Sequence, residues 1–141
     1  MANLIPFSFR GELFTGTHNF ASGGDSFKLA LYTANPYTTA STVYSATSEV
    51  SASGTNYTTT GNTLTGNAVA YGTAVASCDF DPAIWTSASF TAAYAALYND
   101  DQSDKLCVIL DFSGDKTATN GTFKVSFPSP TTPADAIISM A

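Results

Sequence analysis

Period-two alternation, repeatedly cut short by turn residues, limits what this chain can fold into more than any other feature. Phe27, Leu29 and Leu31 alternate with Lys28, Ala30 and Tyr32, the pattern of a half-buried strand. Asn35-Pro36 ends it, because proline fixes φ and has no N–H to give a ladder. Phe123, Val125 and Phe127 repeat the alternation near the other end. Weaker strand signals lie at Val43-Tyr44 and Thr55–Thr60, and Ala68–Phe80 reads as one or two strands broken near Gly72. Phe90–Tyr98 and Lys105–Phe112 read as an antiparallel pair in which Tyr94 or Leu97 faces the Leu106–Leu110 run. Ala136–Met140 is a last strand, on an edge or contributed to a neighbour. About eight short strands between turn clusters predict an all-β fold, a β-sandwich or barrel.

One element breaks the pattern. Phe9 and Leu13 share a face at i, i+4 spacing and Gly16 is a helix stop, so residues 7–16 are predicted as one short N-terminal helix. The alternative there is a strand of alternating Phe7 and Phe9. Asp81-Pro82-Ala83-Ile84-Trp85-Thr86 reads as a turn or a short helical turn started by proline. Ser113-Gly114-Asp115 and Asn120-Gly121 read as turns, and Pro128, Pro130 and Pro133 as a rigid link. Residues 37–61 are rich in Ser and Thr, but the spaced Tyr44, Val50, Tyr57 and Leu64 argue for a long folded excursion across one sheet.

The chain has 141 residues, enough for one core and read as one domain over 1–141. Five basic and eleven acidic residues leave a formal net charge of -6, which disfavours a nucleic-acid partner. The opening Met1–Arg10 has no basic region followed by a long apolar run, so it is not read as a signal peptide. No apolar run approaches the ~18 residues of a membrane span. Cys78 and Cys107 each sit in an apolar run and read as free buried thiols. A disulfide between neighbouring strands is the alternative and needs Cα atoms within about 7 Å.

Chemistry is sparse. The one histidine, His18, follows a glycine stop and reads as a hydrogen-bonded structural residue. No G-x-S-x-G elbow, phosphate loop or dinucleotide fingerprint occurs. Asn99-Asp100-Asp101-Gln102-Ser103-Asp104 gathers oxygen donors, yet without the spacing of an EF-hand, so it reads as a solvated acidic hairpin. Asp79 and Asp81 are two apart, as a carboxylate pair on one strand face would be, but the proline beside them favours turn capping. No catalytic, cofactor or metal residues are assigned, and the expectation is no enzyme and no cofactor. Tyr37, Tyr44 and Tyr57, set among small polar residues, read as partly exposed, which suits protein contact or carbohydrate stacking.

Several segments, in order, resemble a family of small virion structural proteins from tailed bacteriophages. Gly11–Phe20 followed by Asp25–Thr33 is similar to its N-terminal signature, and Glu49–Tyr57 to its central motif, with Asn56 intervening and Gly54 displaced. Trp85–Ala92 with Ala95–Asn99 and Leu110–Phe112 through Asn120–Phe123 and Phe127-Pro128 resemble the later segments. The resemblance spans nearly the whole chain. It implies a β-sandwich or jelly-roll module with no enzymatic activity, made in the host cytoplasm and carried on the virion. Its implied role is that of a capsid decoration, or cement, protein on the major capsid protein shell, assembled as a small homo-oligomer, a trimer or dimer. A tail or baseplate component, or a glycan-binding receptor-recognition module, is the alternative.

The segment Leu4-Ile5-Pro6-Phe7 is the candidate contact with that partner. Pro6 holds it extended, and Leu4, Ile5 and Phe7 would otherwise be exposed apolar side chains. Residues 1–8 would then be an extended anchoring arm. The alternative is that the run covers its own core.

Overall fold

A computed structural model describes residues 3–128 and 136–140. The fold is all-β and sandwich-like, with two antiparallel sheets and one short helix. The elements are α1 (Phe7–Phe14), β1 (Phe27–Tyr32), β2 (Asn62–Thr63), β3 (Ala68–Tyr71), β4 (Ala76–Asp79), β5 (Ala83–Asn99), β6 (Lys105–Val125) and β7 (Ile138–Met140). One sheet has the order β2-β1-β5-β6 and the other β3-β4-β7.

The helix forms where its spacing predicted, with Phe9 buried and Gly16 just past its end at φ +68°, a backbone state that glycine adopts without penalty. Both cysteines are free and buried. The final strand is shorter than expected, pairing Cys78 with Ile138 and Ala76 with Met140 at the edge of the small sheet. Beyond Pro128, the expected proline link lies outside the described residues.

Among the described residues seven strands stand where about eight were expected, because turn signals were spent inside strands. β5 runs unbroken through Trp85, so the expected turn over 81–86 is absent beyond Pro82. β6 runs through both Ser113-Gly114 and Asn120-Gly121. Ser113, Gly114 and Asn120 do take positive φ (58°, 118° and 46°). Here that conformation makes irregularities that bend a paired strand instead of reversing the chain. The register shifts between Trp85 and Ala88, Ala88 and Phe90, and Ala92 and Tyr94. Asp111 Oδ1 accepts the Ser113 N–H at 2.8 Å, and Ser89 Oγ accepts the Asn120 N–H at 2.9 Å. The expected facing of the two strands is met by Leu97, which pairs with Val108, whereas Tyr94 pairs with Asp111 just beyond the apolar run.

β1 was expected to be half-buried and is buried on both faces. Phe27, Leu29 and Leu31 enter the main core with Phe9, Phe20, Trp85 and Leu97. Ala30 and Tyr32 face a second cluster with Tyr37, Tyr98, Leu106 and Ile109. The Ser/Thr-rich excursion provides that second cover and makes few strands of its own. Val43 and Glu49 touch the sheet only through single bridges, to Lys105 and Tyr32. Val50, Tyr57 and Leu64 turn into the core. Each large apolar side chain so buried contributes roughly 1.5–3 kcal/mol.

The excursion ends on Gly61, which is buried at φ +81° against β1. A Cβ there would overlap the Leu29 carbonyl oxygen and the Ala30 Cα. Both are backbone atoms of a central strand and cannot step aside. Gly61→Ala is therefore expected to destabilise the fold by about 3 kcal/mol or more. Urea unfolding checks this; an unchanged midpoint would remove the close approach from the account.

Candidate binding surface

Two kinds of surface feature stand out: a buried polar chain beneath helix α1, and bare apolar side chains above it. The polar chain has the titratable groups. The His18 side chain is fully buried, with Nε2 2.6 Å from Glu12 Oε2. The Asn99 amide donates to His18 Nδ1 at 2.9 Å and to Asp25 Oδ2 at 2.8 Å. With Nδ1 accepting, His18 carries its proton on Nε2 and donates it to Glu12. Lys105 Nζ reaches Glu12 Oε1 at 3.3 Å. Burial opposes ionisation of Asp25, but the Asn19 N–H and the Asn99 and Gln102 side chains outweigh it, and its carboxyl is held below the ordinary value. Phe9 and Phe20 flank the imidazole at 5.1 and 6.1 Å. The chain ties α1 and the loop after it to the β5–β6 turn. His18 is thus a structural hydrogen-bonding residue, and Asn99 is its unexpected partner from across the sequence.

The acidic turn is also occupied by internal contacts. Asp101 Oδ2 accepts the Ser26 N–H at 2.7 Å, and Asp100 pairs with Lys28 at 3.3 Å. Asp104 is pushed up by burial and by Asp100. Among the described residues no group of three or more His, Cys, Asp or Glu side chains could hold a metal ion. The turn that Asp81 was expected to cap is replaced by β5, and the carboxylate instead accepts from Thr65 Oγ1 at 3.2 Å while the Asp81 N–H donates to the Thr65 carbonyl.

Of the tyrosines expected to be partly exposed, Tyr44 is half-buried as read, while Tyr37 and Tyr57 are a correction, both being buried. Tyr44 and Tyr57 donate to the two oxygens of Glu49 at 2.6 and 2.8 Å, and Thr60 N–H adds a third bond at 2.8 Å. Tyr32 and Tyr37 hydroxyls meet at 2.7 Å. A phenol hydroxyl can satisfy itself inside a fold when an acceptor lies within reach, and the excursion delivers Glu49 for that purpose.

The N-terminal segment divides. Leu4 and Ile109 exchange N–H···O bonds at 2.9 and 2.8 Å, and Phe7 N–H donates to the Thr39 carbonyl at 2.9 Å. Leu4 is half-buried against the second cluster and Pro6 is buried. Ile5 and Phe7 project outward, 37% and 60% exposed. The Arg10 guanidinium lies 5.0 Å over the Phe7 ring, and Arg10 also donates to the Ile5 carbonyl. Of the three expected contact residues, the structure brings Ile5 and Phe7 to the surface together and turns Leu4 inward.

Sequence reasoning missed the larger part of the apolar surface. Phe14 is 94% exposed, Tyr71 84% and Met140 57%. Phe14 stands seven residues from Phe7, on the same outward face of α1, a spacing that was there to be read. The sheet contribution follows from register. Residues directly paired share a face, so Val69, Cys78 and Ile138 form one row and Tyr71, Ala76 and Met140 the next. Leu13 and Phe20 stand over the first row, leaving Cys78 and Ile138 buried. The second row has no such cover among the described residues. No protein-family model, curated protein or solved structure matches this chain.

Proposed function

We propose that this chain is a structural component of a tailed-phage virion, a capsid decoration protein that binds and reinforces the assembled shell. The observation that carries this reading is the bare apolar surface on and beside α1. Soluble monomers rarely leave such side chains contiguous and uncovered, and a protein that works by assembly buries them when it docks. The ordered sequence resemblance supplies the kind of assembly. Binding the assembled shell and not free subunits shifts the equilibrium toward the shell by mass action. The shell contact falls to Ile5 and Phe7, the projecting residues of the N-terminal segment.

Electron cryomicroscopy of purified virions, with copies of this chain counted, tests the reading. The expected result is copies spread over the icosahedral shell. Copies confined to the tail axis would overturn it in favour of a tail component. For the contact itself, Ile5→Ser with Phe7→Ser is a cleaner probe than truncation. Removing the segment would also remove the Leu4–Ile109 bond pair, whereas the double variant keeps it and is expected to lose shell binding with its melting temperature retained.

A further inference from the structure

We propose that the outer edge of β6, from Lys116 to Val125, takes an extended acidic peptide segment of a partner protein as an added strand. β6 is the last strand of its sheet, and such an edge presents a row of backbone N–H and C=O groups without ladder partners. Its beginning is covered. Val43 bridges to Lys105, the Leu106 N–H donates to the Thr42 carbonyl, Leu4 bridges to Ile109, and Asn3 Oδ1 accepts the Asp111 N–H. From Lys116 onward, among the described residues, only β5 bonds the backbone of the strand.

The uncovered part also borders a hollow. Residues 112–115 stand opposite Ala93 alone. Such a bulge bends the strand, and the Phe112 ring comes to 6.3 Å from the Phe123 ring. The hollow beside them measures about 440 Å³. Half-buried Phe112 and buried Phe123 and Val125 give it an apolar floor, and exposed Lys116, Thr117 and Lys124 stand around it.

The cations name the occupant. Of five basic residues, Lys28 pairs with Asp100, Lys105 pairs with Glu12, and Arg10 lies over Phe7. The remaining two, Lys116 and Lys124, both border this hollow. Neither has an ion pair among the described residues, the neighbouring Asp115 included. An extended segment laid on the edge completes the ladder with its main chain, offers carboxylates to the two ammonium groups, and sends an apolar side chain into the hollow. Lysines on an edge also keep like edges apart, but that task needs no apolar hollow beneath them. The inference stands without the virion reading, since it requires only a partner with an acidic extended segment.

The test uses the full chain and a labelled octapeptide of alternating glutamate and valine, read by fluorescence anisotropy at low salt. Strand addition draws its affinity from the main chain, so this simple sequence suffices. The expected Kd is on the order of 10–100 μM, with hydrogen exchange slowed at the amides of residues 116–125. Lys116→Glu with Lys124→Glu should weaken binding about ten-fold or more and, both positions being exposed, leave the melting temperature in place. The matching peptide of glutamine and valine should lose as much. N-methylation of alternate amides keeps the carboxylates and removes the ladder donors, and should abolish binding. Absence of binding at about 1 mM peptide overturns the proposal, as does a charge-reversed variant that binds like wild type. So does equal protection of these amides by the N-methylated peptide or by dextran sulfate, a polyanion with no amide to pair. Amides of 116–125 already protected in the free chain, as a second copy on the edge would leave them, overturn it too.

Discussion

Held at pH 11, the purified protein should unfold cooperatively, well before its tyrosines titrate one by one. Burial is the first cause in every case. It pushes the hydroxyls of Tyr32, Tyr37, Tyr57 and Tyr98 above their ordinary value, with the Glu49 carboxylate adding to it at Tyr57. All four are buried. The folded value is thus raised above the unfolded one. Their stabilisation is complete below the unfolded value of about 10 and is lost as the pH climbs from there toward the folded value. By pH 11 Tyr32, Tyr57 and Tyr98 together forfeit about 4 kcal/mol, and Tyr37 adds to the loss in the same direction. The thiols begin earlier. Burial pushes Cys78 up to about 12 and Cys107 well above its ordinary value, while unfolded thiols ionise from about 8.5. Together these losses match a typical total stability of ~5–15 kcal/mol. Far-ultraviolet circular dichroism should therefore be lost between about pH 10 and 11, together with the larger part of the phenolate absorbance. Dichroism that holds while the absorbance reaches the full amplitude of the unfolded chain would show that these side chains are not sealed.

Glu49→Ala should be among the most damaging side-chain truncations in the excursion. One carboxylate accepts from Tyr44, Tyr57 and the Thr60 N–H. Truncation leaves two phenols and a backbone donor without their acceptor. Hydrogen bonds to charged groups are worth ~1.5–3 kcal/mol each and do not add simply, so the expected loss is about 3–5 kcal/mol. Glu49→Gln keeps an oxygen and the shape, and should cost about 1 kcal/mol. Denaturant unfolding of the two variants gives the order wild type, Gln, Ala. An alanine variant within about 0.5 kcal/mol of wild type, the range of an ordinary surface change, would mean that the excursion is held by packing alone.

Local pattern was legible wherever a side chain's neighbours lie close in sequence. The Phe9–Leu13 spacing marked α1, and the Leu97 to Val108 pairing followed from two apolar runs flanking a polar turn. Turn residues misled because positive φ serves a bend within a ladder as well as a reversal of the chain. Ser113, Gly114 and Asn120 show the first use, and only the partner strand decides between them. The tyrosines misled for a related reason. Composition marks Tyr57 as amphipathic, but whether its hydroxyl meets water or Glu49 depends on a loop closing over β1. At the candidate binding surface, Ile5 and Phe7 were readable as apolar residues held extended by Pro6. Tyr71 and Met140 were not, because their common face exists only after β3, β4 and β7 come into register.

The hairpin of β5 and β6 has a kinetic meaning. Its strands of 17 and 21 residues meet across the short turn at residues 100–104, so their first pairings, such as Asn99 with Lys105, close a small loop at little entropic cost. β1 must instead reach β5 across the whole 33–82 stretch, and β4 must wait for β7 from near the end of the chain. β3 and β4 close a second tight turn, Tyr71 pairing with Ala76, while the long-range pairings come late. The order of folding is therefore built in: the hairpin zips from its tip, β1 and the excursion condense on it, and the small sheet closes last. The apolar row gains Met140 only at that final step, so a half-made chain lacks the full row to stick by.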